Sequence, residues 1–222
     1  MKPYLNAAVA AFLLSASPLA AQAAEVKVIR VMGDDIQVPV PDGYCEPQGP
    51  YRDNAQRAEA SDSQNVTFLT LFRCDEMAAG GDLQHLIYIK APKPALAARA
   101  TLKELLDAMG AIPASELSAA LDDNRIRPGV EKDASQVFGT SVQIQSEIKP
   151  ATKDAFGWYM AGTVDYSVAG RNLGLAVAIG MTAVKGHVLS YNAYGPGKDV
   201  AAVRAALAQA KAETKVFVEA NP

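Results

Sequence analysis

Residues 173 to 182 constrain the fold more than any other stretch. Leu173, Leu175, Val177, Ile179 and Met181 alternate with Gly174, Ala176, Ala178, Gly180 and Thr182. A period of two marks a strand, because successive side chains leave a sheet on opposite sides. A strand with one face in water carries charge on that face, and this one carries none. One face is large and apolar. The other is so small that a helix or second layer can approach closely. The strand is therefore expected to be central and covered on both sides.

Its surroundings supply the partners. Residues 156 to 194 divide into three strands at Ala169-Gly170-Arg171-Asn172 and at Lys185-Gly186, both hairpin signals. Asp199 then caps an amphipathic helix running to Phe217, with Val200, Val203, Leu207, Ala210 and Phe217 on one stripe. This helix is the expected cover for Ala176 and Ala178. Upstream, Val26 to Val31 and Ile36 to Val40 alternate around Gly33-Asp34-Asp35, and Pro39 suits an edge or a strand end. Residues 46 to 65 are polar and are expected to form a long surface loop, with at most a helical turn around Asn54 to Ala60. Val66 to Arg73 and Gln84 to Lys90 form two more strands, joined through Ala78-Ala79-Gly80-Gly81 as a hairpin connection. Thr101-Leu102-Lys103-Glu104 fits a capping box, followed by Leu102, Leu105, Leu106 and Met109 on one face until Gly110. Pro113 to Asp122 adds a short helix, Asp122 to Lys132 is expected as a loop around Pro128-Gly129, and Ser141 to Ile148 alternates as a strand. The fold class is α+β, a mainly antiparallel curved sheet with helices on one or both faces in an α/β/α sandwich-like layout.

The N-terminus gives the compartment. Lys2, the apolar run Ala7 to Ser17 and Ala21-Gln22-Ala23 form the three parts of a secretory signal peptide. Residues 1–23 are thus expected to be removed and 24–222 to fold as a single domain, periplasmic or secreted. The signal contains one base and no acid, so 20 basic and 24 acidic residues remain, a net charge of −4. That balance argues against a nucleic-acid partner, whose binding needs a basic patch. No second apolar run is long enough for a transmembrane anchor. Cys45 and Cys74, the only thiols, read as one disulfide in an exported chain. A redox-active pair and metal thiolates are the alternatives, but such a pair lies closer in sequence and two thiolates do not complete a zinc site.

Familiar catalytic signatures fail one by one. His85 and His187 are expected as half-exposed strand residues, and neither has a neighbour at metal-ligand spacing. Ser146-Glu147-Ile148-Lys149 matches S-x-x-K, but on a strand its serine and lysine diverge. Gly195-Pro196-Gly197-Lys198-Asp199 lacks the first glycine and the Ser/Thr of a phosphate loop. Asp34-Asp35 and Asp122-Asp123-Asn124 lack the spacing of a calcium loop. Asn65-Val66-Thr67 is a formal sequon best explained as a strand start. Trp158, Tyr159, Tyr166, Tyr191 and Tyr194 leave two arrangements open: an apolar or carbohydrate-binding groove, or core packing with hydroxyls at the rim. No catalytic, cofactor-binding or metal-ligating residue is assigned, and no cofactor is expected.

In layout the chain resembles exported proteins of the PsbP-like or Mog-like α/β/α class. The resemblance is carried by Val40-Pro41-Asp42-Gly43-Tyr44, the meander Trp158 to Tyr194, and Tyr194-Gly195-Pro196 leading into Asp199. It implies an accessory, protein-binding role without catalysis and transfers no functional residue. The expected function is that of a non-enzymatic exported accessory or binding protein, with a protein or small-molecule partner in the cell envelope. A hydrolase whose site assembles from distant loops and a carrier of a small apolar ligand are the alternatives.

Overall fold

The computed structural model describes residues 25–120 and 123–222. The expected signal peptide, Leu121 and Asp122 lie outside them. Seven strands form one sheet in the spatial order β3 (Tyr44–Cys45), β4 (Asn65–Arg73), β5 (Leu86–Pro92), β9 (His187–Pro196), β8 (Arg171–Val184), β7 (Trp158–Val168), β6 (Val142–Lys153). Every neighbouring pair is antiparallel. β1 (Val26–Val31) and β2 (Asp34–Pro39) make a separate hairpin. The helices are α1 (Pro50–Ser61), α2 (Cys74–Ala79), α3 (Leu102–Ala111), α4 (Ala114–Ala120), α5 (Asp123–Phe138) and α6 (Val200–Glu219). This is an α+β fold. Among the described residues no helix is long and apolar enough to cross a membrane.

The small residues of β8 do what their size predicts. Ala176 and Ala178 are fully buried in one cluster with Ala206, Ala210 and Phe217 of α6. A Cβ added to Gly180 would stand 2.6 Å from Thr214 Oγ1 on that helix, so only glycine admits the close approach. Asp199 caps α6 by accepting the Ala202 N–H at 2.8 Å. The buried stripe is Ala206, Ala210, Thr214 and Phe217, whereas Val200, expected on it, is exposed at the first turn. The β1–β2 hairpin extends this layer with Ile29, Val31, Ile36 and Val38. Its outer strand is closed by Asn221: the Gln37 N–H donates to Asn221 Oδ1 at 2.8 Å, and Asn221 Nδ2 donates back to the Gln37 carbonyl at 2.7 Å.

On the opposite face α5 packs along β6, and α1 touches α5 and β4. Ser135 Oγ accepts the Val142 N–H at 3.0 Å and Glu131 the Ile144 N–H at 2.8 Å. Both contacts cap donors on an edge strand that would otherwise template further pairing. Ser63 joins the end of α1 to Asp133 of α5 through its N–H and Oγ, at 2.9 and 2.7 Å.

Several segments depart from the sequence expectation. Residues 50–61 are helical, not loop. Pro50 opens α1 at its first turn with Asp53 favouring the helix dipole, and Ala55 alone is buried, so no apolar stripe announces the helix. Residues 123–132 belong to α5, which carries Pro128 internally at the cost of one hydrogen bond. The β4–β5 connection is longer than a hairpin turn: α2 intervenes and β5 begins at Leu86, which leaves His85 just outside it. The capping box of α3 is complete, with Glu104 N–H on Thr101 Oγ1 and Thr101 N–H on Glu104 Oε2.

Candidate functional site: a tyrosine recess under the helix pair

Strand register builds this site. Thr70 stands opposite Tyr88, Tyr88 opposite Asn192, and Asn192 opposite Ile179, so four strands place one row of side chains on the face toward α1 and α5. One step along β9, Tyr194 lies between Leu86 and Val177. Tyr166 of β7 and Tyr194 both pack against the cluster of Val142, Ile144, Val164 and Val177. Tyr88 and Tyr194 meet edge to face, with ring centroids 5.8 Å apart and planes at 87°.

The three tyrosines are part-buried, and among the described residues none of their hydroxyls has a hydrogen-bond partner. Burial pushes the Tyr194 hydroxyl up to about 12, helped by the charge of Asp62. The same burial raises Tyr88, with Tyr194 and Glu59 adding to it, and Tyr166, with Tyr194 and Tyr88 adding to it. Each is therefore a neutral phenol at physiological pH, able to donate one hydrogen bond and to accept others. Three part-buried rings with unpartnered hydroxyls on one face of the sheet make this cluster the candidate site.

Its walls are polar and acidic. Asn192 Nδ2 donates to Ser190 Oγ at 2.9 Å and to the Tyr88 carbonyl at 3.1 Å. Glu59 of α1 accepts the Thr70 hydroxyl at 2.6 Å. Lys90 Nζ pairs with Asp62 at 2.9 Å and lies 4.9 Å from the centroid of the Tyr88 ring. Burial works to raise the Asp62 carboxyl, but Lys90 and the backbone N–H groups of Asn65 and Gln64 outweigh it and hold it below its ordinary value.

The meander aromatics divide between the two faces. Tyr159 and Tyr191 stand opposite Gly180 on the α6 side and are buried; Trp158, Tyr166 and Tyr194 occupy the other side. Tyr88, Asn192 and Glu59 escaped the sequence reading because 59, 88 and 192 are brought together only by the β5–β9 pairing and the unannounced helix α1. The one local signal was the concentration of aromatics in the meander; register then sets their faces. Tyr194 shares a face with Val177, not with the small residues.

Neither histidine completes a nucleophilic site among the described residues. His187 is 1% exposed, not half-exposed, and its Nε2 contacts Arg99 Nη1 at 2.6 Å and Asp34 Oδ2 at 2.8 Å. Hydrogen bonds from His187 and Arg99 hold the Asp34 carboxyl below its usual range. His85 Nδ1 faces Glu76 Oε1 at 2.5 Å. Ser146 and Lys149 lie on β6, where Lys149 pairs with Glu147. Lys198 pairs with Asp165, and Asp199 is spent on its cap. Asn65 opens β4 and bonds Asp62. Among the described residues no three His, Cys, Asp or Glu side chains gather as a metal cluster. Cys45 and Cys74 come to disulfide distance, with Cα atoms 5.6 Å apart, at the β3–β4 edge of the sheet.

Comparison with known proteins adds little to this geometry. No family model and no curated protein sequence matches the chain. Among solved structures, the solution structure of cyanobacterial PsbP (CyanoP) from Synechocystis sp. PCC 6803 is similar at 11% identity, over 89% of this chain and 95% of that one, with a TM-score of 0.42. The chain thus bears a weak resemblance to PsbP that carries no functional argument, and the Mog-like part of the expectation is not shown.

Proposed function

We propose that this is a non-enzymatic binding protein of the cell envelope, periplasmic or secreted, with residues 1–23 removed as a signal peptide and residues 24–222 folding as a single domain. The tyrosine recess is its ligand site. One observation carries this proposal: three part-buried phenol hydroxyls from β5, β7 and β9, none with a hydrogen-bond partner among the described residues. Buried polar groups are normally satisfied, so a partner from outside the chain is the economical completion. A hydrolase needs a nucleophile within reach of its base, and the partners of His85 and His187 are carboxylates and a guanidinium instead.

The test is native mass spectrometry of the mature protein isolated from the periplasm of its expression host, beside the Tyr194→Ala variant. A small-molecule adduct on the wild type that is missing from the variant supports the reading. Equal adducts on both proteins place the ligand elsewhere, and turnover of an ester or peptide library by the wild type would overturn the non-enzymatic part.

A further inference from the structure

Glu59 is a part-buried carboxylate without a cation. Its neighbours at three and four residues along α1 and just beyond are Ala55, Gln56, Asp62 and Ser63, so the helix itself offers none. Its hydrogen bond is to the neutral Thr70 hydroxyl, and it makes no ion pair among the described residues. Thr70 is the direct cross-strand neighbour of Tyr88, so this carboxylate stands at the mouth of the recess. A part-buried carboxylate without an ion pair is a position at which a counter-ion adds a favourable interaction.

The protein contains its own example of the missing interaction. The Lys90 ammonium lies between the Asp62 carboxylate and the face of Tyr88. An aromatic face attracts such a cation through its quadrupole, and the attraction grows as water is excluded. Tyr166 and Tyr194 add two further rings, and phenol oxygens can accept N–H donors. Lys90 is already neutralised by Asp62, so the charge an anion would meet without compensation is Glu59.

We propose that the recess takes an organic cation, an ammonium group on an apolar or aromatic frame, with Glu59 as its counter-ion and Tyr88, Tyr166 and Tyr194 as its walls. This rests on the recess being the ligand site, and the test separates the two statements. Three probes share a phenyl ring and short chain: phenethylamine (a cation at neutral pH), 3-phenyl-1-propanol and 3-phenylpropionate. Binding to the mature protein is read from the amide shifts of β5 and β9 in NMR titrations. Phenethylamine should bind about tenfold more tightly than the alcohol, and the carboxylate most weakly. Glu59→Gln should bring the amine down to the affinity of the alcohol while leaving the alcohol unchanged. Wild-type-like amide dispersion of Glu59→Gln without ligand controls for loss of fold. Equal affinity for amine and alcohol, or an amine affinity indifferent to Glu59→Gln, overturns the cation assignment and leaves the recess standing. No shifts with any probe overturn both.

Discussion

The two faces of the sheet are written in alternate residues of the same strands, yet they are built to different standards. Toward α6 the side chains are small and the helix backbone comes close: Ala176 and Ala178 are fully buried, and glycine is required at 180. Even a polar misfit there is sealed, since Tyr191 Oη is buried without a partner among the described residues. Toward α1 and α5 the helices rest on β4 and β6, and large tyrosines fill the span between. Their rings are part-buried, and their hydroxyls have no partner among the described residues. The first face is specified by volume, where every added methylene is felt. The second is specified by hydrogen bonds and charges around part-buried rings, and it is this face that we propose a ligand completes.

This contrast is open to attack at four levels of energy. The largest effect should come from the bridge at the β3–β4 edge. Losing a 29-residue link through Cys45→Ser should cost ~3–4 kcal/mol in chain-entropy terms, with both faces surviving. Two free thiols in the denatured, unreduced wild type would remove the bridge from the account altogether. Next, Ala178→Leu on the α6 face should cost ~1–3 kcal/mol by overpacking, read from the shift of a urea midpoint. An unmoved midpoint would mean that face is open and the contrast imaginary.

The third effect is smaller and depends on pH. Asp62 has its carboxyl held below the ordinary 3.8 in the folded state, so its contribution is present above about pH 4 and drains away as pH falls through the lower folded value. Asp62→Asn should therefore cost about 1 kcal/mol at pH 7. Wild type and variant should converge in acid; a gap that widens below pH 4 contradicts the ion pair with Lys90. Smallest of all, Tyr166→Phe should change stability by no more than about 0.5 kcal/mol, because its hydroxyl has no partner to lose among the described residues. A loss above that would reveal a hydrogen bond and close that part of the recess.

The α6 face was legible in the sequence because its information is local. Ten consecutive residues of β8 declare their alternation, Asp199 declares a cap, and Thr101 with Glu104 declares another. α1 was hidden because a helix that buries only Ala55 needs no apolar periodicity, and α5 because Pro128-Gly129 is turn chemistry that tertiary packing overrode. The recess was less legible still. Its residues come from α1, β4, β5, β7 and β9, and no local pattern says that β5 lies beside β9. Tyr166 and Tyr194 were visible as aromatics, but their face became known only with the register.

The pairing of Gln37 with Asn221 joins residues 184 apart in sequence, and α6 (Val200–Glu219) covers strands that all precede it. Until α6 is in place, the alanine-floored side of the sheet has no cover, so closing this layer waits on a contact distant in sequence. The same arrangement makes Asn221 a lock: Asn221→Ala would strip the amide that occupies the Gln37 backbone and expose β2 as an adhesive margin.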